Sequence, residues 1–312
     1  MSHTVLLGDP AFFRVKSGSN PHTRDWLGRR KQVNRSQAIA QWEKLKSALE
    51  QHGVRVHVVP ADPELPGLVF PANAGFRAGG RFYLSNLNPA RAAEKEHYRR
   101  AISGLGLEVR DLPAPHLFEG EADFIPVGHP SGDPARAAYL FTYGRIEQPR
   151  WVPCAGFPPY RRVYGFRSDY RVLPALRSIV HPSEVMLLEL VDERHYHGDT
   201  VLCAFGPRNE YVLAYLEGLA PDSARALQAR FGDRLLAVGP EDGRSFAANS
   251  FQVVAERDGE RVPVLLMPDG LTLETYEQVR QRGVIPFPLD VSEFLDKGGG
   301  AVKCMLLDLG EL

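Results

Sequence analysis

The chain has 312 residues, 44% of them hydrophobic and 24% charged, with a formal net charge of −1. These values describe a globular chain with enough apolar material for a substantial core, and they argue against nucleic acid or a membrane surface as its main partner. Cysteines stand only at positions 154, 203 and 304, an odd number without a Cys-x-x-Cys pair, which argues against a disulfide framework or a cysteine-based zinc site.

Met1 to Pro10 lacks the basic region and apolar stretch of a signal peptide, and no segment has the length of a membrane span. A cytoplasmic protein with free thiols is therefore expected. Ser36 to His52 carries Ile39, Trp42, Leu45, Ala48 and Leu49 close to helical spacing, with Asn34 or Ser36 to cap its start and Gly53 to end it. The alternating Val54, Val56 and Val58 then predict a strand, stopped by Pro60. The same order of helix, break and strand returns from Ala90 to Leu112, more loosely from Leu173 to Val191, from Ser223 to Val238, and from Leu273 to Leu289. Intervening segments such as Gly80 to Ser85 read as further strands. Five copies predict one repeat architecture, a single domain over residues 1–312, rather than two unrelated units. Alternating helices and strands would also suit a doubly wound sheet.

The residues after each strand carry the chemistry. Asn73 comes after the first copy, Glu119 to Asp123 after the second, His197 to Asp199 after the third, Asn249 after the fourth and Cys304 after the fifth. Units arranged around an axis would bring these positions together at its centre. A thiolate nucleophile needs a proton-transfer partner and groups that orient a cationic substrate, and this set holds all three kinds.

At these residues the chain resembles the guanidino-group-modifying superfamily of dimethylarginine dimethylaminohydrolases, arginine deiminases and amidinotransferases. The glycine run Gly298 to Gly300 leading into Cys304-Met305 is similar to the family's nucleophile segment, and Tyr196-His197-Gly198-Asp199-Thr200 to its His-x-Asp-Thr motif. Phe118 to Phe124 resembles its acidic motif, and Gly165-Phe166-Arg167-Ser168-Asp169 the segment whose arginine holds a substrate α-carboxylate. The resemblance implies an α/β fold over essentially the whole chain, a five-bladed propeller of ββαβ units. Two departures stand out. Val69 to Asn73 aligns with a segment that often ends in a substrate-binding Asp, and the acidic motif has one extra residue, so that Glu119 or Glu121 supplies its first carboxylate.

The resemblance also implies a mechanism. Cys304 attacks the guanidinium carbon, His197 protonates the departing amine, and a covalent amidino-thioether remains for water or an incoming amine to resolve. Glu119 assists His197, the carboxylates of Asp123 and Asp199 grip the guanidinium N–H groups, Asn73 faces the same group, and Arg167 anchors a carboxylate at the far end. This chemistry needs no metal and no organic cofactor. Its partner is a small guanidino compound, and homo-oligomerisation is left open. Hydrolysis is the first reading, amidino transfer the second, and a non-catalytic binding protein on the same fold the third.

Plainer readings stand beside these. Cys154 and Cys203 lack such context and are expected to be structural. Asn73, Asn249, Asp123 and Asp199 suit tight turns, and Arg167 suits an ordinary ion pair. His195 and His197 lack a third partner for a metal. Gly298 to Lys303 lacks the Gly-Lys-Ser/Thr ending of a phosphate loop, and no Gly-x-Ser-x-Gly elbow is present.

Overall fold

The computed structural model describes residues 2–16, 20–156, 159–257 and 259–312. Among them are five three-stranded sheets of the same design. In each, a central strand pairs antiparallel with one neighbour and parallel with the other. The central strands are His3–Gly8, Arg81–Leu84, Ala138–Tyr143, Tyr211–Ala214 and Glu260–Pro268. Four of them come directly after their antiparallel partner in the chain, whereas His3–Gly8 takes Leu306–Glu311, the last strand, as its antiparallel partner. A parallel neighbour cannot be reached by a tight turn, so each central strand is followed by a crossover helix. These helices are Arg35–Gln51, Lys95–Gly104, Leu173–Val180, Pro221–Phe231 and Leu273–Gln281. In the third unit a hairpin of Arg150–Pro153 and Tyr160–Val163 precedes the helix.

Four predicted helices lie within a few residues of their expected bounds. The second begins later than expected, at Lys95, because Asn88 and Arg91 form a turn and Ala92–Glu94 a short 3-10 segment before it. Asn34, rather than Ser36, caps the first helix by accepting from the Gln37 backbone N–H. Its apolar stripe, including Trp42, Leu45 and Leu49, packs with Val5 and Leu7 of the first sheet. Aromatic rings fill the space between the second and third units: Phe118 meets Phe76, Phe124 and Phe141 edge to face. No helix of the described residues is long and apolar enough to cross a membrane.

Leu45 is fully buried at the helix–sheet contact. Leu45→Ala should therefore lower unfolding stability by about 2–5 kcal/mol, the cost of the lost transfer energy plus the cavity. A change in unfolding free energy from urea titration well below that range would show that the helix relaxes onto the sheet.

Candidate active site

The largest concave site at the chemistry-bearing residues is a cavity of about 460 Å³ whose walls include Glu119, His197, Arg167, Arg91 and Tyr196. That volume suits a small organic ligand. Each site residue sits in an irregular turn at the end of a strand or helix, where the backbone is free of ladder bonds. Asn73 lies in the 3-10 turn Pro71–Ala74, Glu119 just before Gly120–Ala122, and His197 just before Gly198–Thr200.

Three of these turns meet at one carboxylate. Glu119 Oε2 lies 2.8 Å from His197 Nε2 and accepts a 2.8 Å hydrogen bond from Asn73 Nδ2. Its other oxygen accepts from the Asn88 side chain at 2.8 Å and the Asn88 backbone N–H at 3.2 Å. Burial alone would push the Glu119 carboxyl up. The hydrogen bond and charge of His197, with the guanidinium groups of Arg91 and Arg167, outweigh burial and hold it at about 2. Glu119 is thus ionised, and an ionised partner fixes the imidazole's orientation. Asn73 Nδ2 also stands 3.1 Å from His197 Nε2, so the amide flanks the carboxylate–imidazole pair directly.

Cys304 occupies the turn between the helix Ser292–Gly298 and the strand Leu306–Glu311. Gly299 ends that helix in the left-handed conformation, at φ 78°. A Cβ on Gly300 would stand 2.7 Å from the Cys304 Cβ, so the turn can close on the cysteine only with glycine there. Asn249 holds the turn: its Oδ1 accepts from the Ala301 and Cys304 backbone N–H groups at 2.7 and 3.2 Å. Its Nδ2 donates to the Asp199 carbonyl at 3.0 Å and to Cys304 Sγ at 3.1 Å. The thiol in turn faces the Asp199 carboxylate at 3.3 and 3.5 Å. Burial, then the Asp199 charge, pushes the Cys304 thiol well above the ordinary cysteine range, and burial raises Asp199 to about 6.

Asp123 is buried, and its oxygens accept from Thr142 and the Gly198 N–H on one side and from Ser168 on the other. The Gly198 bond ties it to the residue after His197, so it places the imidazole's backbone. Arg167 is buried, stacks over the Tyr196 ring at 5.0 Å and lines the cavity. Glu121 points elsewhere and pairs with Lys303 at 2.6 Å, so Glu119 is the acidic-motif residue that reaches His197. His195 stacks near Tyr215 and Phe246 away from His197's partners. No metal-holding group of three or more such side chains occurs among the described residues. Cys203 lies buried against the Ser250 carbonyl, and Cys154 is half-buried. Sequence reasoning assigned Asn249 to scaffolding and did not single out Asn88. Asn249's place after the fourth strand was the available signal for the first, and no motif marked the second.

Only the thiolate alkylates. Cys304 modification by iodoacetamide in the ligand-free protein, read as the mass of its peptide, should therefore reach half its maximal rate above about pH 8.5, the unperturbed cysteine value. A midpoint below that value would contradict the effect of burial and Asp199.

Residues 9–110 match the family model for eukaryotic N,N dimethylarginine dimethylhydrolase. The chain is 31% identical over 302 residues to the N(G),N(G)-dimethylarginine dimethylaminohydrolase of Mycobacterium tuberculosis, covering 96% of this chain and 83% of the relative. It is 30% identical over 309 residues to the bifunctional arginine dihydrolase/ornithine cyclodeaminase AgrE of Nostoc sp., spanning 98% of this chain but only 38% of that longer protein. Among solved structures, the N-terminal domain of ArgZ, a cyanobacterial arginine dihydrolase, in a variant bound to substrate, superposes with a TM-score of 0.80. That match has 25% identity and covers 99% of this chain and 98% of the other. A dimethylarginine dimethylaminohydrolase adduct structure, 18% identical with a TM-score of 0.68 and covering 99% of this chain and all of that one, shares the α/β fold. By the extent of its match to the mycobacterial protein, the chain belongs to the guanidino-group-modifying superfamily that contains the dimethylarginine dimethylaminohydrolases.

Proposed function

We propose that this protein is a hydrolase of the guanidino group of arginine or an arginine derivative, working through a covalent intermediate on Cys304. One observation carries this reading: five chain-distant turns join in hydrogen-bonded clusters, with a thiol against Asp199 and Asn249 and an imidazole against Glu119 and Asn73. The reading includes an architecture, in which residues 1–312 act as one catalytic unit and the five sheets are the blades of a propeller around the site. The mycobacterial and cyanobacterial relatives are hydrolases, which favours water over an amine as the acceptor.

In this mechanism the cationic guanidinium enters the cavity with its α-carboxylate toward Arg167. Neither Cys304 nor Asp199 is among the walls of that cavity, so the guanidinium must pass beyond His197 to bring a positive charge beside the buried thiol and the Asp199 carboxylate, where it favours the thiolate that the ligand-free site disfavours. Sγ forms a bond to the guanidinium carbon. His197, oriented by Glu119, protonates the departing nitrogen, and the C–N bond breaks to leave an amidino-thioether. His197 then takes a proton from water, the hydroxide adds to the same carbon, and the C–S bond breaks. A ureido product leaves and Cys304 returns to its starting state. Asp199 and Asp123 supply acceptors and scaffolding on the guanidinium side.

Asn73 favours a second reading within the same chemistry, in which the ureido product is itself hydrolysed to the parent amine, carbon dioxide and ammonia. An Asp at this position would put another charge beside Glu119 and favour cationic substrates. The amide leaves the site less biased against a neutral ureido group and offers both a donor and an acceptor.

Cys304→Ser should lose nearly all turnover while remaining folded, because a serine hydroxyl is barely ionised at neutral pH. Cys154→Ser, if folded, should keep its activity. Rapid quenching with substrate should add mass to the peptide containing Cys304, and His197→Ala should slow turnover by about 10²–10⁴-fold. Full turnover in folded Cys304→Ser would sink the mechanism. For Asn73→Asp, the ratio of ureido to fully hydrolysed product from arginine and N-methylated arginines should change; an identical product profile would reduce Asn73 to scaffolding.

A further inference from the structure

A second cavity, of about 250 Å³, shares no wall residue with the first. Glu121, Asp199, Lys303 and Asp308 line it. Two of these are residues the proposed mechanism leaves unused: Glu121 is the acidic-motif carboxylate that does not reach His197, and Lys303 closes the segment that fails as a phosphate loop. Here they find each other. Lys303 Nζ donates to Glu121 Oε2 at 2.6 Å, and the two side chains are only 14% and 11% exposed. The Asp308 backbone N–H donates to the same oxygen at 3.1 Å, and the Asp308 carboxylate pairs with His3 at 2.7 Å. The Phe251 ring lies 5.6 Å from the ammonium.

The pair sits against the catalytic turn. Lys303 directly precedes Cys304, and its backbone N–H donates to the Asn249 carbonyl. Asp199, which contacts Cys304 Sγ, is shared between the thiol and this second cavity. The groups that bear on the thiol are therefore the Asp199 carboxylate, the Asn249 amide, the Tyr196 phenol and the Lys303 ammonium. Lys303 is the cation that acts on the thiol from the second cavity, and Glu121 is its counter-charge.

We propose that the Glu121–Lys303 pair is a positioning device that tunes the ionisation of Cys304 from the second cavity, Lys303 favouring the thiolate and Glu121 limiting how much of that cation's field reaches it. The proposal rests on Cys304 being the nucleophile. Burial pushes the Glu121 carboxyl up to about 7, against the pull of Lys303. Its charge consequently changes near neutral pH. When pH falls through that value, Glu121 takes up a proton, the pair goes from neutral to cationic, and the thiolate gains support as bulk protons oppose it. The result is a flatter pH dependence of the nucleophile than a lone buried thiol would have.

The test is the pH profile of Cys304 alkylation by iodoacetamide in the intact protein, with Glu121→Gln and Lys303→Met compared with the parent. Removing the cation should raise the midpoint and slow alkylation at pH 8 roughly tenfold, the scale of one charge at short range in a partly screened interior. Removing the carboxylate should lower the midpoint and speed alkylation by a similar factor, while Gln still accepts from Lys303. A purely structural pair would leave both midpoints in place or move them in the same direction, and either outcome overturns the proposal. Should Lys303→Met fail to fold, Glu121→Gln decides alone, since an unmoved or raised midpoint refutes the role. Turnover of Cys304→Ser, measured alongside, separates the two levels. Retained turnover removes the nucleophile and this proposal with it, whereas lost turnover with unmoved midpoints removes only the role of the pair.

Discussion

One amide, that of Asn249, is the constraint on which the site depends. Its two ends are bonded to the backbone of the Cys304 turn, to the carbonyl of Asp199 and to Sγ itself. The third, fourth and fifth units are thereby locked at one point in a buried environment, where an unmet donor or acceptor is costly. Asn is suited to this task because it offers a donor and an acceptor fixed in one plane, which Asp cannot do without changing its charge.

Around that amide the carboxylates are buried alike but held in different states. Glu119 is met by several donors and by cations and stays ionised far below neutral pH, whereas Asp199 and Glu121 have weaker compensation and are pushed toward neutral. Environment rather than residue type separates a permanent orienting charge from groups that can exchange a proton near pH 7. The thiol belongs to neither class: burial and the Asp199 charge hold it neutral well above that range. Lys303, the cation that bears on it, is tied to Glu121, so the cost of ionising the thiol falls when a cationic ligand arrives.

Much of this is legible in the sequence. The helix, glycine break and strand recur because a crossover unit needs an amphipathic helix, a stop and an apolar strand, and those patterns are local. Helix bounds come through within a few residues wherever a cap is present, as at Asn34, and drift where a turn such as Asn88 to Arg91 delays the helix. Cys304, His197 and Glu119 are legible because their types and their neighbours carry a chemical signature. Asn88, Asn249 and the Glu121–Lys303 pair are not, since their meaning lies in partners up to 182 positions away. A neutral amide has no motif until its partners are in place. The doubly wound alternative fails on pairing: each helix joins a central strand to one parallel neighbour inside a three-stranded sheet, and the sheets remain separate among the described residues.

The pairing of Leu306–Glu311 with His3–Gly8 brings together the two ends of the chain, and the side-chain bond between His3 and Asp308 spans 305 positions of sequence. Cys304 lies two residues before that last strand. The Cys304 thiol is consequently placed next to a contact with a very long loop to close, among the slowest kinds for a chain to form. Fraying of that one sheet would therefore loosen the setting of the Cys304 thiol without altering any of its partner side chains.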